Sequence, residues 1–141
     1  MNSKMENKLV AIVRVRGRVG VRQSISETLV RLNLKRVNNL AIVFGNKSNI
    51  GMIQKCNDFV TYGELEEKTL EAIFNKKEIK LTKEDMSDLK SGKKNLRNII
   101  KKSITMHPPK HGYEGIKKGY SVGGALGYRG QDINTLIKRM L

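Results

Sequence analysis

Four arginines fall within nine positions of the segment VRVRGRVGVRQS (13–24): Arg14, Arg16, Arg18 and Arg22. No acid lies between residues 7 and 26. Guanidinium forks match the oxygens of phosphate groups, and Gly17 and Gly20 let backbone come close to a ligand. Free N–H groups at a helix start near Ser24 would add to the attraction for an anion. The plain alternative is a solvated strand edge. FGNKSNIGMI (44–53) has the same layout of strand end, glycine turn, basic residue and capped helix. Lys47 and Asn49 are placed there to reach a phosphate or a base edge. Gly51, inside that helix, costs roughly 1 kcal/mol relative to Ala. Such a cost makes sense where another backbone packs against it.

The third basic segment is HPPKHGYEGIKKGYSVGGALGYRG (107–130). It holds seven of the 13 glycines, both prolines, Lys110, Lys117, Lys118 and Arg129, and one acid, Glu114. It shows neither a helical period nor strand alternation, so it reads as a long basic loop that orders against a polyanion. Tyr113, Tyr120 and Tyr128 are candidates for stacking on exposed bases, with packing on the protein's own surface as the equal alternative.

Catalytic and metal sets are poor. His107 and His111 are four residues apart, but Pro108 and Pro109 exclude a helix between them. Cys56 is the single thiol and reads as a buried structural side chain. Paired carboxylates do not stand out. The expectation is therefore no catalytic residue, no metal, no cofactor and no small-molecule substrate.

Elements that would position the basic residues can be read from periodicity. LVAIVRVR (9–16), LAIVF (40–44) and FVTY (59–62) are predicted strands. Ile25, Leu29 and Leu32 predict a helix over 24–34, with Ser24 and Glu27 as a capping box. Ser48 or Asn49 is expected to cap a short helix carrying Ile50 and Ile53. Thr61 and Glu64 predict the start of another, with Leu70, Ile73 and Phe74 on one face. KEIKLT (77–82) reads as a short strand or connector, Thr82 as the cap of a turn through Leu89, and 94–104 as a further helix. Ile133, Leu136, Ile137 and Met140 form an apolar stripe on a C-terminal helix that should dock on the first unit. Three regions result: a β-α-β-α-β core over 1–62, a helical extension over 63–106, and a glycine-rich basic segment with its helix over 107–141.

Charge is segregated along the chain. Residues 1–62 carry net +8, residues 63–92 net −2 and residues 93–141 net +9, giving +15 in total. Two basic blocks around an acidic one fit a protein clamped onto RNA by two surfaces. No run of about 18 apolar residues is present, so no membrane span or membrane partner is expected. The N-terminus lacks the apolar core of a signal peptide, and a single cysteine suits the cytoplasm.

LVAIVRVRGRVGVRQSISETLVRLNLKRVNNLAIVFGNKSNIGMIQKCNDFVTYGEL resembles the large-subunit ribosomal protein family called L-thirty in bacteria and L-seven in eukaryotes. HPPKHGYEGIKKGYSVGGALGYRGQDINTLIKRML is similar to the C-terminal extension of its archaeal members. The resemblance spans residues 8–141, and only the long basic N-terminal arm of eukaryotic members has no counterpart. It implies an α+β fold: a three-stranded antiparallel sheet with helices on one face, ferredoxin-like. It also implies no catalysis, binding to large-subunit ribosomal RNA through 14–22 and Lys47–Ile53, and contact with neighbouring ribosomal proteins. Two other functions fit the same residues. One is a free-standing RNA chaperone or regulator. The other is an acylphosphatase-like enzyme, for which VRGRVGVR would be the anion loop and Asn38 or Asn39 would orient water.

Overall fold

The computed structural model describes residues 8–17, 20–76, 87, 104–110, 112–113, 115–120 and 123–140, the side chains of 115–118 excepted. In chain order the elements are β1 (Leu9–Arg14), α1 (Gln23–Arg31), β2 (Asn39–Phe44), α2 (Lys47–Lys55) and β3 (Val60–Glu64). Then come α3 (Glu67–Lys76), β4 (Ile104–Thr105), β5 (Gly115–Gly119), β6 (Gly124–Tyr128) and α4 (Asp132–Met140). Arg18, the 77–82 connector and the turn through Leu89 lie outside the described residues. So does the helix expected over 94–104, except its last position, where Ile104 begins β4.

The first five elements form where the apolar spacing predicts them, but the sheet is larger than three antiparallel strands. Its order is β4-β2-β1-β3-β6-β5. β1 pairs antiparallel with β2 and with β3, with Ile12 opposite Ala41 on one side and Tyr62 on the other. β6 then adds parallel to β3, with Thr61 opposite Gly127, so the sheet is mixed. β5 joins β6 through an irregular parallel pairing.

Helices cover both faces rather than one. The run LVAIV (9–13) is apolar at consecutive positions because β1 is central and buried on both sides. Val10 and Ile12 face a core with Leu29 and Leu32 from the α1 side and Ile50 and Ile53 from α2. Ala11 and Val13 face a second core with Leu70 and Ile73 of α3 and Ile133, Leu136 and Ile137 of α4. Each fully buried aliphatic side chain contributes roughly 1.5–3 kcal/mol. The C-terminal stripe is therefore spent inside this domain, as its period predicts.

Local chemistry sets the element ends differently from the expected caps. Ser24 lies inside α1, where its carbonyl accepts from Thr28 Oγ1 at 2.9 Å, and Arg22 occupies the N-cap without a side-chain bond. Asn46 caps α2, its Oδ1 accepting from the Asn49 N–H at 2.8 Å. Thr61 is a buried strand residue donating to the Gly127 carbonyl at 3.0 Å, so it caps nothing. The junction of α3 and α4 is made by Asn134, 3% exposed. It accepts from the Glu66 N–H at 2.9 Å and donates to the Glu64 carbonyl at 3.1 Å. The last carbonyls of α4 accept from the backbone of 107–110: His107 N–H to Met140 O and Lys110 N–H to Arg139 O, both at 3.2 Å.

Candidate nucleic-acid interface

The strand registers fix where the predicted contacts lie. One end of the sheet gathers Arg14–Arg16, Asn38 and Phe59: Val15 N–H donates to Phe59 O at 3.0 Å and Asn38 N–H to Arg14 O at 2.9 Å. The other end gathers Lys8, Gly45 and Leu65, with Gly45 N–H on Lys8 O at 2.8 Å and Leu65 N–H on Leu9 O at 3.0 Å. Arg16 and Lys47 therefore flank opposite ends of β1, roughly 20 Å apart at about 3.3 Å per residue. They are two separate basic points rather than one patch.

Two of the predicted contacts are interior. Arg14 is 3% exposed. Its Nη1 donates to Leu34 O at 2.7 Å and its Nε to Arg16 O at 2.9 Å. The guanidinium satisfies backbone carbonyls of the turns after β1 and α1, because it lies on the same face of β1 as Val10 and Ile12. Arg129 is 6% exposed. Its Nε donates to Thr61 Oγ1 at 2.7 Å, its Nη2 to Ala125 O at 3.1 Å, and its guanidinium lies 4.8 Å from the Tyr120 ring centre. Both were expected to reach phosphates. Both are instead committed to the fold, and Arg14 forms no anion loop of the kind an acylphosphatase requires.

The others vary in accessibility. Arg22 and Lys47 are exposed at the N-terminal ends of α1 and α2, where helix N–H groups add positive potential. Arg16 is half-buried, lying 5.2 Å from the Phe59 ring centre with Nη1 on Asp58 O at 3.4 Å. Asn49 spends its amide on Phe44 O at 2.8 Å, so it shapes the turn around Lys47. Lys110 is exposed beside the end of α4, and Lys117 and Lys118 lie on β5. Lys35 and Arg36 are also exposed, in the turn from α1 to β2. Asn33 and Asn38 bracket them with φ of 64° and 67°, a left-handed geometry asparagine tolerates.

Three acids cluster where β3 runs into α3. Glu64, Glu66 and Glu67 line an open cleft of about 390 Å³ with Lys8, Leu9 and Leu70. Leu9 and Leu70 pack on the α3 side of the sheet, but the Glu64 carboxylate shares the face of Tyr62 and Tyr128, where α1 and α2 lie. Tyr128 donates to Glu64 Oε1 at 3.1 Å, and its ring packs 5.9 Å from that of Tyr62. Tyr113 donates to Asn38 Oδ1 at 2.6 Å. Burial pushes the Tyr113 phenol up to about 12 and the Cys56 thiol up to about 11. Both groups stay neutral at physiological pH, which makes Cys56 a packing residue and not a nucleophile. Among the described residues, no group of three or more His, Cys, Asp or Glu is placed to hold a metal ion. None of the described helices is long and apolar enough to cross a membrane.

Comparison with known proteins gives one family. Residues 10–60 match the family model described as Ribosomal protein L30p/L7e. The chain is 40% identical to large ribosomal subunit protein uL30 of Methanococcus maripaludis strain C5 over 151 aligned positions, covering 93% of this chain and 98% of the relative. It is 42% identical to the uL30 protein of Nanoarchaeum equitans, over 94% of this chain and 99% of that one. Against the Thermoplasma volcanium protein the identity is 37%, with 94% and 93% covered. With β-α-β-α-β packing at its centre and relatives matched nearly end to end, the chain belongs to the L30p/L7e family of ribosomal proteins.

Proposed function

We propose that this chain is a structural, non-catalytic constituent of the large ribosomal subunit, working on the ribosome in the cytoplasm. It binds ribosomal RNA through the α1/α2 side of the sheet and through the basic ribbon of β5. The observation that carries the reading is the basic excess on the α1/α2 side of the sheet. Arg22, Arg31, Lys35, Arg36, Lys47 and Lys55 stand exposed there against Glu27 and Asp58, while Glu66 and Glu67 line a cleft at the start of α3. A partner that touches Arg16 and Lys47 together must span roughly 20 Å. Folded RNA does so; an acyl phosphate does not. Phosphate neutralisation at these points supplies affinity, and the rigid sheet between them fixes the relative placement of the RNA segments they touch. The α3 side is left for neighbouring ribosomal proteins.

Ultraviolet crosslinking of the full chain to a large-subunit ribosomal RNA transcript, followed by peptide mapping, tests the assignment. Crosslinks in 16–22, 35–36, 47–53 and 115–119 are expected. Crosslinks concentrated in 64–76 would overturn it.

A further inference from the structure

The tyrosines of the basic segment do work that the sequence does not reveal. Tyr113 and Tyr120 bracket β5, which carries Lys117 and Lys118. At one end, the Tyr113 hydroxyl donates to Asn38 Oδ1 at 2.6 Å, and its ring packs against the core that contains Leu40, Ile42 and Met140. At the other end, the Tyr120 ring covers the Arg129 guanidinium at 4.8 Å, and its hydroxyl donates to Asp132 Oδ2 in the first turn of α4. Arg129 is in turn fixed from three directions. Its N–H donates to Tyr62 O at 2.8 Å, its Nε to Thr61 Oγ1 and its Nη2 to Ala125 O.

β5 needs such anchors. It is the last strand of the sheet, its pairing with β6 is irregular, and glycines stand at both of its ends. A short parallel edge strand with broken register gains little from its ladder. A ribbon held only by that ladder would have to be ordered by its ligand, at a cost to affinity.

We infer that Tyr113 and Tyr120 are positioning residues that hold the β5 ribbon in place before RNA arrives, and that Tyr120 acts through the buried Arg129 rather than by stacking on a base. The inference rests on the reading that β5 contacts ribosomal RNA. It goes beyond it by assigning the tyrosines to the protein side of that contact. Both phenol rings lie against protein atoms, and the hydroxyls are donors to Asn38 and Asp132.

The test is a double-mutant cycle in the full chain, with a large-subunit ribosomal RNA transcript as probe. Tyr120→Ala should raise amide exchange over 115–119 in the free protein about tenfold and weaken RNA binding about fivefold. Tyr120→Phe keeps the ring over Arg129 and loses the hydroxyl's bond to Asp132, so it should restore most of both losses. In a Lys117→Gln/Lys118→Gln background, Tyr120→Ala should cost no further affinity, because its effect passes through those lysines. An equal loss in both backgrounds would show that Tyr120 meets RNA directly or acts through the whole fold, and would overturn the inference. Unchanged exchange at 115–119 in Tyr120→Ala would overturn it as well. If Lys117→Gln/Lys118→Gln alone leaves affinity intact, the RNA role of β5 itself fails, an outcome distinct from the other two.

Discussion

Gly51 and Gly63 are opposite cases: an added methyl meets open space at the first and backbone at the second. Gly51 lies within α2, is exposed, and a Cβ added there would meet nothing within 4 Å. Nothing among the described residues requires glycine at the position. Gly51→Ala should therefore stabilise the free protein by about 1 kcal/mol through helix propensity alone. For a domain of this size that corresponds to about 2–5 °C in Tm. If RNA backbone packs on the α2 face, the same methyl intrudes on a close contact, and overpacking costs about 1 kcal/mol or more, about fivefold or more in Kd. Gly63 provides the contrast: an added Cβ would stand 2.1 Å from Gly130 O and 2.9 Å from Ile133 Cγ2. Gly63→Ala must push α4 away from β3 and should cost about 3 kcal/mol or more. Calorimetry of the free proteins and filter binding to the ribosomal RNA transcript read the two effects separately. A Gly51→Ala protein that is more stable and binds RNA as tightly as the parent would refute the placement of RNA on α2.

Arg14→Ala should destabilise the protein by about 2–4 kcal/mol, since a charged group bonded to buried carbonyls is lost. Arg22→Ala should leave stability within about 0.5 kcal/mol; chemical denaturation ranks the pair, and equal stability would contradict the burial argument. Arg22→Ala should also lower the salt slope of RNA binding by about one phosphate's worth, measured as log K against log salt; an unchanged slope would remove Arg22 from the interface. RNA binding by the unmodified chain should weaken steeply between low and moderate salt, and a flat response would contradict an electrostatic interface. Stability should fall as pH rises from about 9 to about 12. Cys56 and Tyr113 have raised values in the fold, so burying their neutral forms stabilises it fully below the unfolded values of 9.0 and 10.0, and this is lost as pH approaches about 11 and about 12. Tyr113→Phe should flatten the fall above pH 10 in a Tm series, and an unchanged slope would contradict the burial of that phenol.

The first five elements were legible because their apolar spacing is unambiguous. The second face of the sheet was legible too, in the unbroken apolar run LVAIV, which a strand covered on one face alone does not require. β6 was hidden for a physical reason. GALGY carries two glycines and has little strand propensity of its own. It becomes a strand because β3 offers a parallel partner and Arg129 ties the loop after it to Tyr62. Tertiary pairing, not local preference, decides that element, and the long loop expected over 107–130 is in part sheet. The same limit applies to the site. Arg14 and Arg129 look identical in sequence to Arg22, and only the register of β1 and the turn after β6 turn them inward. Tyr113, Tyr120 and Tyr128 stood evenly between base stacking and packing, and Asn38, Asp132, Arg129 and Glu64 are what claim them.

The central claim is that this protein is a building part of the large subunit. Sucrose-gradient sedimentation of cell extract, with the chain detected by quantitative mass spectrometry, tests it most directly. The account predicts one copy per large subunit, co-migrating with subunits and with whole ribosomes, and released only by high salt. Recovery at the top of the gradient, or with RNA free of subunits, would contradict it and would favour a free-standing RNA chaperone.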